Sequence, residues 1–159
     1  MCACDFDMMF TFVYIGWEGI ANDAHVFLDA LTRPKVNFPW SSEGKYYLVY
    51  FSYLCTSRFL TSYRGERYHL QEYQGRRNQP IRYKELFNYR DSSRRNIIER
   101  YFAILKTQFS ILRMMPCYKP RNQPSIVVAC CTLYNWICLS TQNDQLFREY
   151  EVEDPFSLR

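Results

Sequence analysis

One long stretch, from Asn88 to Tyr118, limits most strongly what this chain can fold into. Its apolar residues recur every three or four positions, which predicts an amphipathic helix with one aromatic-rich face against a core. That face consists of Ile97, Tyr101, Ile104, Leu105, Phe109 and Leu112, with Gln108 beside Phe109. Tyr83–Tyr89 begins or precedes a helix, and Ser92 or Ser93 can cap the long one, which we expect to run to Leu112. Glu99 lies at the margin of the apolar face, in a stretch that carries six Arg and Lys residues.

The chain before this helix alternates between strand and helix patterns. β-branched and aromatic residues predict a strand over 8–16 that ends at a glycine. Asn22 or Asp23 is a suitable N-cap for the next helix, which Pro34 ends. The short apolar run 45–54 is typical of a buried strand. A weaker β pattern follows around Tyr68–Glu72.

The segment 125–140 is apolar on almost every side. Prolines precede it, and its 16 residues, interrupted by Thr132 and Asn135, are short for a bilayer span. We therefore expect a helix buried inside the domain and no membrane association. The order of elements predicts an α/β fold. Residues 1–140 form one domain in this interpretation, and 141–159 form an acidic C-terminal tail.

Seven cysteines, an odd number, follow an N-terminus that lacks the basic start of a secretory signal. Free thiols in a reducing compartment are therefore expected. No pair of Cys or His residues has the spacing of a zinc site. His25 and His69 have no ordered Cys or Ser partner, so the pattern does not favour a nucleophilic dyad.

The charge is concentrated in the middle of the chain. Residues 58–121 hold 15 Lys and Arg against 5 Asp and Glu, a local charge of +10, whereas each flank carries −3. Twelve of the 15 cations are Arg, which can hold phosphate oxygens with two parallel hydrogen bonds. A polyanion such as DNA is the partner that this distribution favours, and a solvated basic surface is the alternative.

Five segments, taken in order, resemble the catalytic domain of Harbinger-type DDE transposases, as found in plants. They are CDFDMMFTFVYIGWEG, GKYYLV, FLTSYRGERYHLQEY, KELFNYRDSSRRNIIERYFAILKTQFSILRMMPCY and IVVACCTLYNWI. The resemblance spans roughly residues 2–139 and rests on several ordered motifs.

This resemblance implies an RNase H-like fold, in which a mixed sheet is flanked by helices. In the family, two Asp and one Glu hold a pair of divalent cations, Mg²⁺ or Mn²⁺, for DNA cleavage and joining. Glu99 matches the third carboxylate. Tyr50 stands where the family has the second, and the strand that carries the first precedes everything present here. We therefore expect an incomplete fold that lacks its first catalytic strand.

Other motif positions also depart from the family. Asp91 and Tyr134 each replace a His, and Ser52, Tyr53 and Leu54 replace a Gly-Tyr-Pro sequence. A phenol is a poor ligand for a hard cation at neutral pH. We expect Glu99 to be vestigial and paired with Arg95, Arg100 or Lys106. Asp91 is expected to cap the long helix or to lie in its first turn.

Three functional interpretations follow. The first is a truncated, catalytically degraded transposase derivative. The second is a domesticated module that binds DNA or a protein, with a nucleic-acid surface formed by Arg76, Arg77, Arg94, Arg95, Arg100 and Lys106. The third is an active nuclease in which Asp5, Asp23 or Asp91 replaces the lost ligands near Glu99.

Partners and location follow from the same resemblance. The family implies a nuclear protein, with the cytoplasm as the alternative, and a Myb-like partner protein. An RNase H-like sheet without its first strand exposes strand edges, so self-association through such an edge is also expected.

Overall fold

A computed structural model describes residues 1–7, 9–50, 55–73 and 79–140. The chain divides into two compact units, one formed by 17–96 with Met1 and the other by 2–16 with the chain from Ile97 onwards. Three α-helices and four short strands occur in the described residues, in the order β1, β2, α1, β3, β4, α2, α3. The α/β class is confirmed, and the small sheets agree with an incomplete RNase H-like arrangement.

The first unit contains helix α1 (Asp23–Thr32) and the parallel strands β3 (Tyr47–Leu48) and β4 (Phe59–Leu60). As expected, Asn22 caps α1, its side chain accepting a hydrogen bond from the Ala24 N–H at 2.8 Å. Aromatic rings fill the space between these elements. Phe27 and Phe59 meet edge to face with 5.0 Å between their centroids.

The second unit contains an antiparallel pair, β1 (Cys2–Cys4) and β2 (Phe10–Val13), and helix α3 (Gln123–Ser140). Its buried core comprises Phe10, Tyr101, Ile104, Leu105, Cys130, Cys131 and Tyr134. The side chain of Asn135 accepts a hydrogen bond from the Phe10 N–H at 2.9 Å and donates one to the Phe10 carbonyl at 2.8 Å. This polar residue of an apolar helix thus satisfies the strand backbone beside it.

Helix α2 (Tyr83–Gln108) contributes its first part to one unit and its second part to the other. The predicted start at Ser92 or Ser93 is wrong, because both residues are buried in the interior of α2. The predicted end at Leu112 is also wrong. Phe109 leaves the helical conformation with φ −113° and ψ 82°, and a 3₁₀ turn, Ser110–Leu112, follows.

The strands are shorter than the sequence pattern predicts. The expected strand over 8–16 is reduced to β2, and that over 45–54 to β3, with 51–54 outside the described residues. The β pattern at Tyr68–Glu72 is instead the start of a 3₁₀ turn, Leu70–Tyr73. The turn is favoured over a strand because the Glu72 carboxylate accepts hydrogen bonds from the Tyr68 and His69 N–H groups, each at 2.9 Å.

Helix α3 confirms the helix predicted over 125–140 and begins two residues earlier. The expected burial is wrong for one side of it, where Leu133, Trp136 and Leu139 are exposed. In the described part of the chain, no helix combines the length and hydropathy that a bilayer span requires. The predicted tail, 141–159, lies outside the described residues, so the domain boundary at 140 stays a prediction.

Candidate metal and nucleic-acid site

Glu99 lies on the exposed side of α2, in the second unit. Ion pairs among the described residues include Arg33 with Asp29 and Arg67 with Glu85. The expected pairing of Glu99 with Arg95, Arg100 or Lys106 stays a prediction. An exposed carboxylate on a helix retains access to solvent cations, but it does not by itself fix a metal.

Tyr50 contacts a cation instead of providing a carboxylate. The guanidinium of Arg95 lies over the Tyr50 ring, 4.6 Å from its centroid, and its Nη1 donates a hydrogen bond to the Tyr68 hydroxyl. Burial raises the pKa of the Tyr68 phenol to about 12, although the charge of Arg95 opposes the shift. Tyr68 is therefore neutral near pH 7, and both tyrosines present their rings to a fixed positive charge.

Asp91 completes this cluster from the interior of α2. The prediction of a cap or first-turn position is wrong, because the helix begins eight residues earlier and Asp91 is only 3 % exposed. In the described part of the chain, neither carboxylate oxygen accepts a hydrogen bond of normal geometry. Burial raises the Asp91 pKa to about 6, while Arg95 and the Tyr68 hydroxyl lower it in part.

The described side chains do not fit a two-metal centre. Among them, no group of three His, Cys, Asp or Glu residues is placed to hold a metal ion. Asp5 and Asp23, two of the acids proposed as replacement ligands, stabilise a turn and a helix start. Asp5 accepts hydrogen bonds from the Asp7 and Met9 N–H groups in the turn between β1 and β2, and Asp23 lies in the first turn of α1.

Three residues that the sequence did not single out hold a loop against the start of α2. Arg67 forms a double hydrogen bond with Glu85, at 3.3 and 3.2 Å. Asn88, fully buried, accepts from the Tyr63 N–H at 2.7 Å and donates to the Tyr63 and Arg67 carbonyls. The bonds from Arg67, with that from the Ile81 N–H, lower the Glu85 pKa to about 2. This arrangement fixes the loop that supplies Tyr68.

Asn88 could have been found from the sequence if its position on the buried side of the helix had been recognised. A buried polar side chain needs hydrogen-bond partners, and this requirement predicts a structural role. The predicted cap at Ser92 or Ser93 concealed that signal, since it separated Asn88 from the main part of the long helix. Arg67 and Glu85 carried no local signal, because they are 18 residues apart in the chain.

The predicted nucleic-acid residues differ in their environments. Arg94 and Lys106 are exposed on α2, and Arg100 is half-buried. Arg95 is engaged with Tyr50 and Tyr68 inside the first unit. Arg76 and Arg77 lie outside the described residues. The exposed side of α2 also carries Arg90, one turn before Arg94, which the sequence interpretation did not include.

Comparison with known proteins gives one match. Neither the curated proteins nor the solved structures contain a match to the chain. The model of a family described as DDE superfamily endonuclease matches residues 1–135, most of the 159-residue chain. The matched range includes Glu99 and the cluster formed by Tyr50, Tyr68, Asp91 and Arg95. The family generally uses divalent metal ions. The chain therefore belongs to the DDE superfamily endonuclease family.

Proposed function

We propose that this protein is a derivative of a Harbinger-type transposase and does not cleave DNA by the metal-dependent route of its family. The observation that carries the proposal is the Arg95 guanidinium, 4.6 Å from the centre of the Tyr50 ring. By resemblance, Tyr50 stands at the position of the second metal-binding carboxylate.

Two physical effects at this position oppose metal binding. A phenol in place of a carboxylate removes an oxygen ligand of the kind that Mg²⁺ prefers. A guanidinium held beside it repels a divalent cation, and this repulsion strengthens as water is excluded. The loss of one carboxylate and the presence of the Arg95 guanidinium therefore both lower the affinity of this position for a divalent cation.

The test is a nicking assay with supercoiled plasmid and purified protein in Mg²⁺ or Mn²⁺. We expect the wild-type protein and Glu99→Ala to give the same background of nicked circles. Glu43→Ala, which removes an exposed acid from a loop, is the matched control. Metal-dependent nicking that Glu99→Ala abolishes and Glu43→Ala retains would contradict the proposal.

A second candidate function is DNA binding without cleavage. The exposed residues Arg90 and Arg94 lie one turn apart on α2, inside the segment 58–121 that carries a net charge of +10. Contacts to phosphate need positive charge in approximately the right place, whereas hydrolysis needs ligands placed to within a fraction of an ångström. Binding can therefore persist where catalysis does not.

The salt dependence of affinity tests this function. We expect the logarithm of the affinity for duplex DNA to fall linearly with the logarithm of salt concentration. If both arginines contact phosphates, the double variant Arg90→Ala and Arg94→Ala lowers the slope by about 2. Arg33→Ala, at the end of α1 and outside the basic segment 58–121, is the control. Absence of binding at low salt would rule this function out.

A nuclear location and a Myb-like partner protein belong to the same proposal. Both rest on the resemblance to Harbinger-type transposases, which act on chromosomal DNA as two-component systems. The Arg-rich middle of the chain supports the location, since it provides charge suited to DNA.

A further inference from the structure

Helix α3 exposes an apolar face that a folded helix normally covers. Its inner side packs into the core of the second unit through residues such as Cys130, Cys131 and Tyr134. Its outer side remains in contact with solvent. The large exposed side chains there are Val128, Leu133, Trp136 and Leu139, which are 46, 50, 65 and 70 % exposed. An uncovered face of this kind marks an interaction surface.

The occupant of this face must itself be apolar and uncharged. Gln123–Ser140 contains no Asp, Glu, Lys or Arg, over a helix about 27 Å long. A charged partner surface would therefore lose hydration without gaining an ion pair. The same face of a second copy has the required chemistry, because it is equally free of charge.

Antiparallel pairing of two copies also matches the sizes of the side chains. In a twofold arrangement whose axis crosses α3 at the level of residue 134, Trp136 of one protomer lies opposite Thr132 of its partner, and Leu139 opposite Ala129. The two most exposed large side chains of the face then each meet a small one. The Thr132 hydroxyl already donates to the Val128 carbonyl at 2.9 Å, so Thr132 presents its methyl group without an unsatisfied donor. Antiparallel helix dipoles add a favourable contribution.

The area is sufficient for a weak dimer. An aromatic side chain carries roughly 150–250 Å² of surface, and the other exposed side chains add smaller amounts. Covering the face on both copies buries on the order of 1,000 Å², the lower limit for a specific interface. We propose that α3 is the contact surface of a homodimer, formed by the outer faces of two antiparallel copies of this helix.

Sedimentation equilibrium under reducing conditions tests the proposal. We expect a monomer–dimer equilibrium in the micromolar range, which Trp136→Glu weakens at least about tenfold. Leu139→Lys is a second variant at the same face. Ile20→Glu, at a residue 92 % exposed in the first unit, is the control and leaves the equilibrium unchanged. Circular dichroism verifies that each variant is folded.

Two results would overturn the proposal. The first is a wild-type monomer at all concentrations, or a dimer that Trp136→Glu leaves intact. The second is a monomer in which deletion of 141–159 alone moves the emission of Trp136 to longer wavelength, with the other tryptophans replaced by Phe. That result would assign the face to the chain's own C-terminal segment.

Discussion

The Asp91 carboxyl couples the stability of this protein to pH at the scale of a single residue. Burial raises its pKa from 3.8 to about 6, so the fold favours the protonated form. Below about pH 4, the group is protonated in both folded and unfolded chains. As pH rises from there to about 6, the unfolded chain releases its proton first and stability falls. Above pH 6 the loss is complete and constant.

Asp91→Asn is therefore predicted to stabilise the protein above pH 6 and to have little effect near pH 4. The expected gain is about 1–2 kcal/mol, because the neutral amide avoids the cost of burying an ionised carboxylate. Arg95 keeps its contacts with Tyr50 and Tyr68 in the variant, which limits the opposing loss. Urea unfolding at several pH values measures the difference in free energy.

The control for this prediction is Glu43→Gln, which removes one negative charge at an exposed loop position. It is expected to change the free energy of unfolding by less than about 0.5 kcal/mol. A difference between Asp91→Asn and wild type that does not vary with pH would show that ionisation of Asp91 is not its cause.

The residue types in α2 indicated which interactions Asp91 and Arg95 can make, but not which residues surround them in the fold. Asp91 and Arg95 were interpreted as a helix cap and a phosphate contact, because Asp favours helix starts and Arg favours phosphate. Their environment depends on Tyr68, which a loop brings from 27 positions earlier in the chain than Arg95. A sequence pattern that extends over one helix does not contain this information.

The helices show which elements a sequence specifies locally. Asn22 and Pro34 bound α1 as expected, and the apolar run 125–140 is confirmed within α3. The start of α2 was predicted nine residues too late, since Ser92 has the chemistry of a cap. Here Glu85 and Asn88 bond to the preceding loop, so long-range contacts override the local signal.

The strands show the opposite case, because a strand exists only through its pairing. The runs 8–16 and 45–54 have the composition of strands, but among their described residues the ladders cover four and two. At Tyr68–Glu72 the Glu72 side chain satisfies backbone N–H groups that a strand partner would otherwise bond. Composition thus predicted where extended chain occurs and overestimated its length.

At the scale of the whole molecule, the fold belongs to the expected α/β class. The distribution of the cysteine thiols was not expected. The α/β order and membership of the DDE superfamily endonuclease family agree with the sequence interpretation, at the level of the superfamily. Five of the seven cysteines belong to or pack against one core, in the second unit: Cys2, Cys4, Cys130, Cys131 and Cys138. Cys55 and Cys117 are exposed. The odd number of cysteines predicted free thiols but not their convergence, which follows from the packing of Cys2 and Cys4 against the core that contains Cys130 and Cys131.

Thiol reactivity therefore separates two classes of cysteine in the folded protein. Burial raises the pKa of Cys4 and Cys131 to about 12 and also raises that of the other three core thiols, which keeps their reactive thiolate scarce. We predict that an aromatic disulfide reagent modifies two thiols rapidly at pH 8 and all seven after unfolding. The double variant Cys55→Ser and Cys117→Ser is expected to lose the rapid phase entirely. A rapid phase that persists in this variant would mean that the core opens to solvent while the protein is folded.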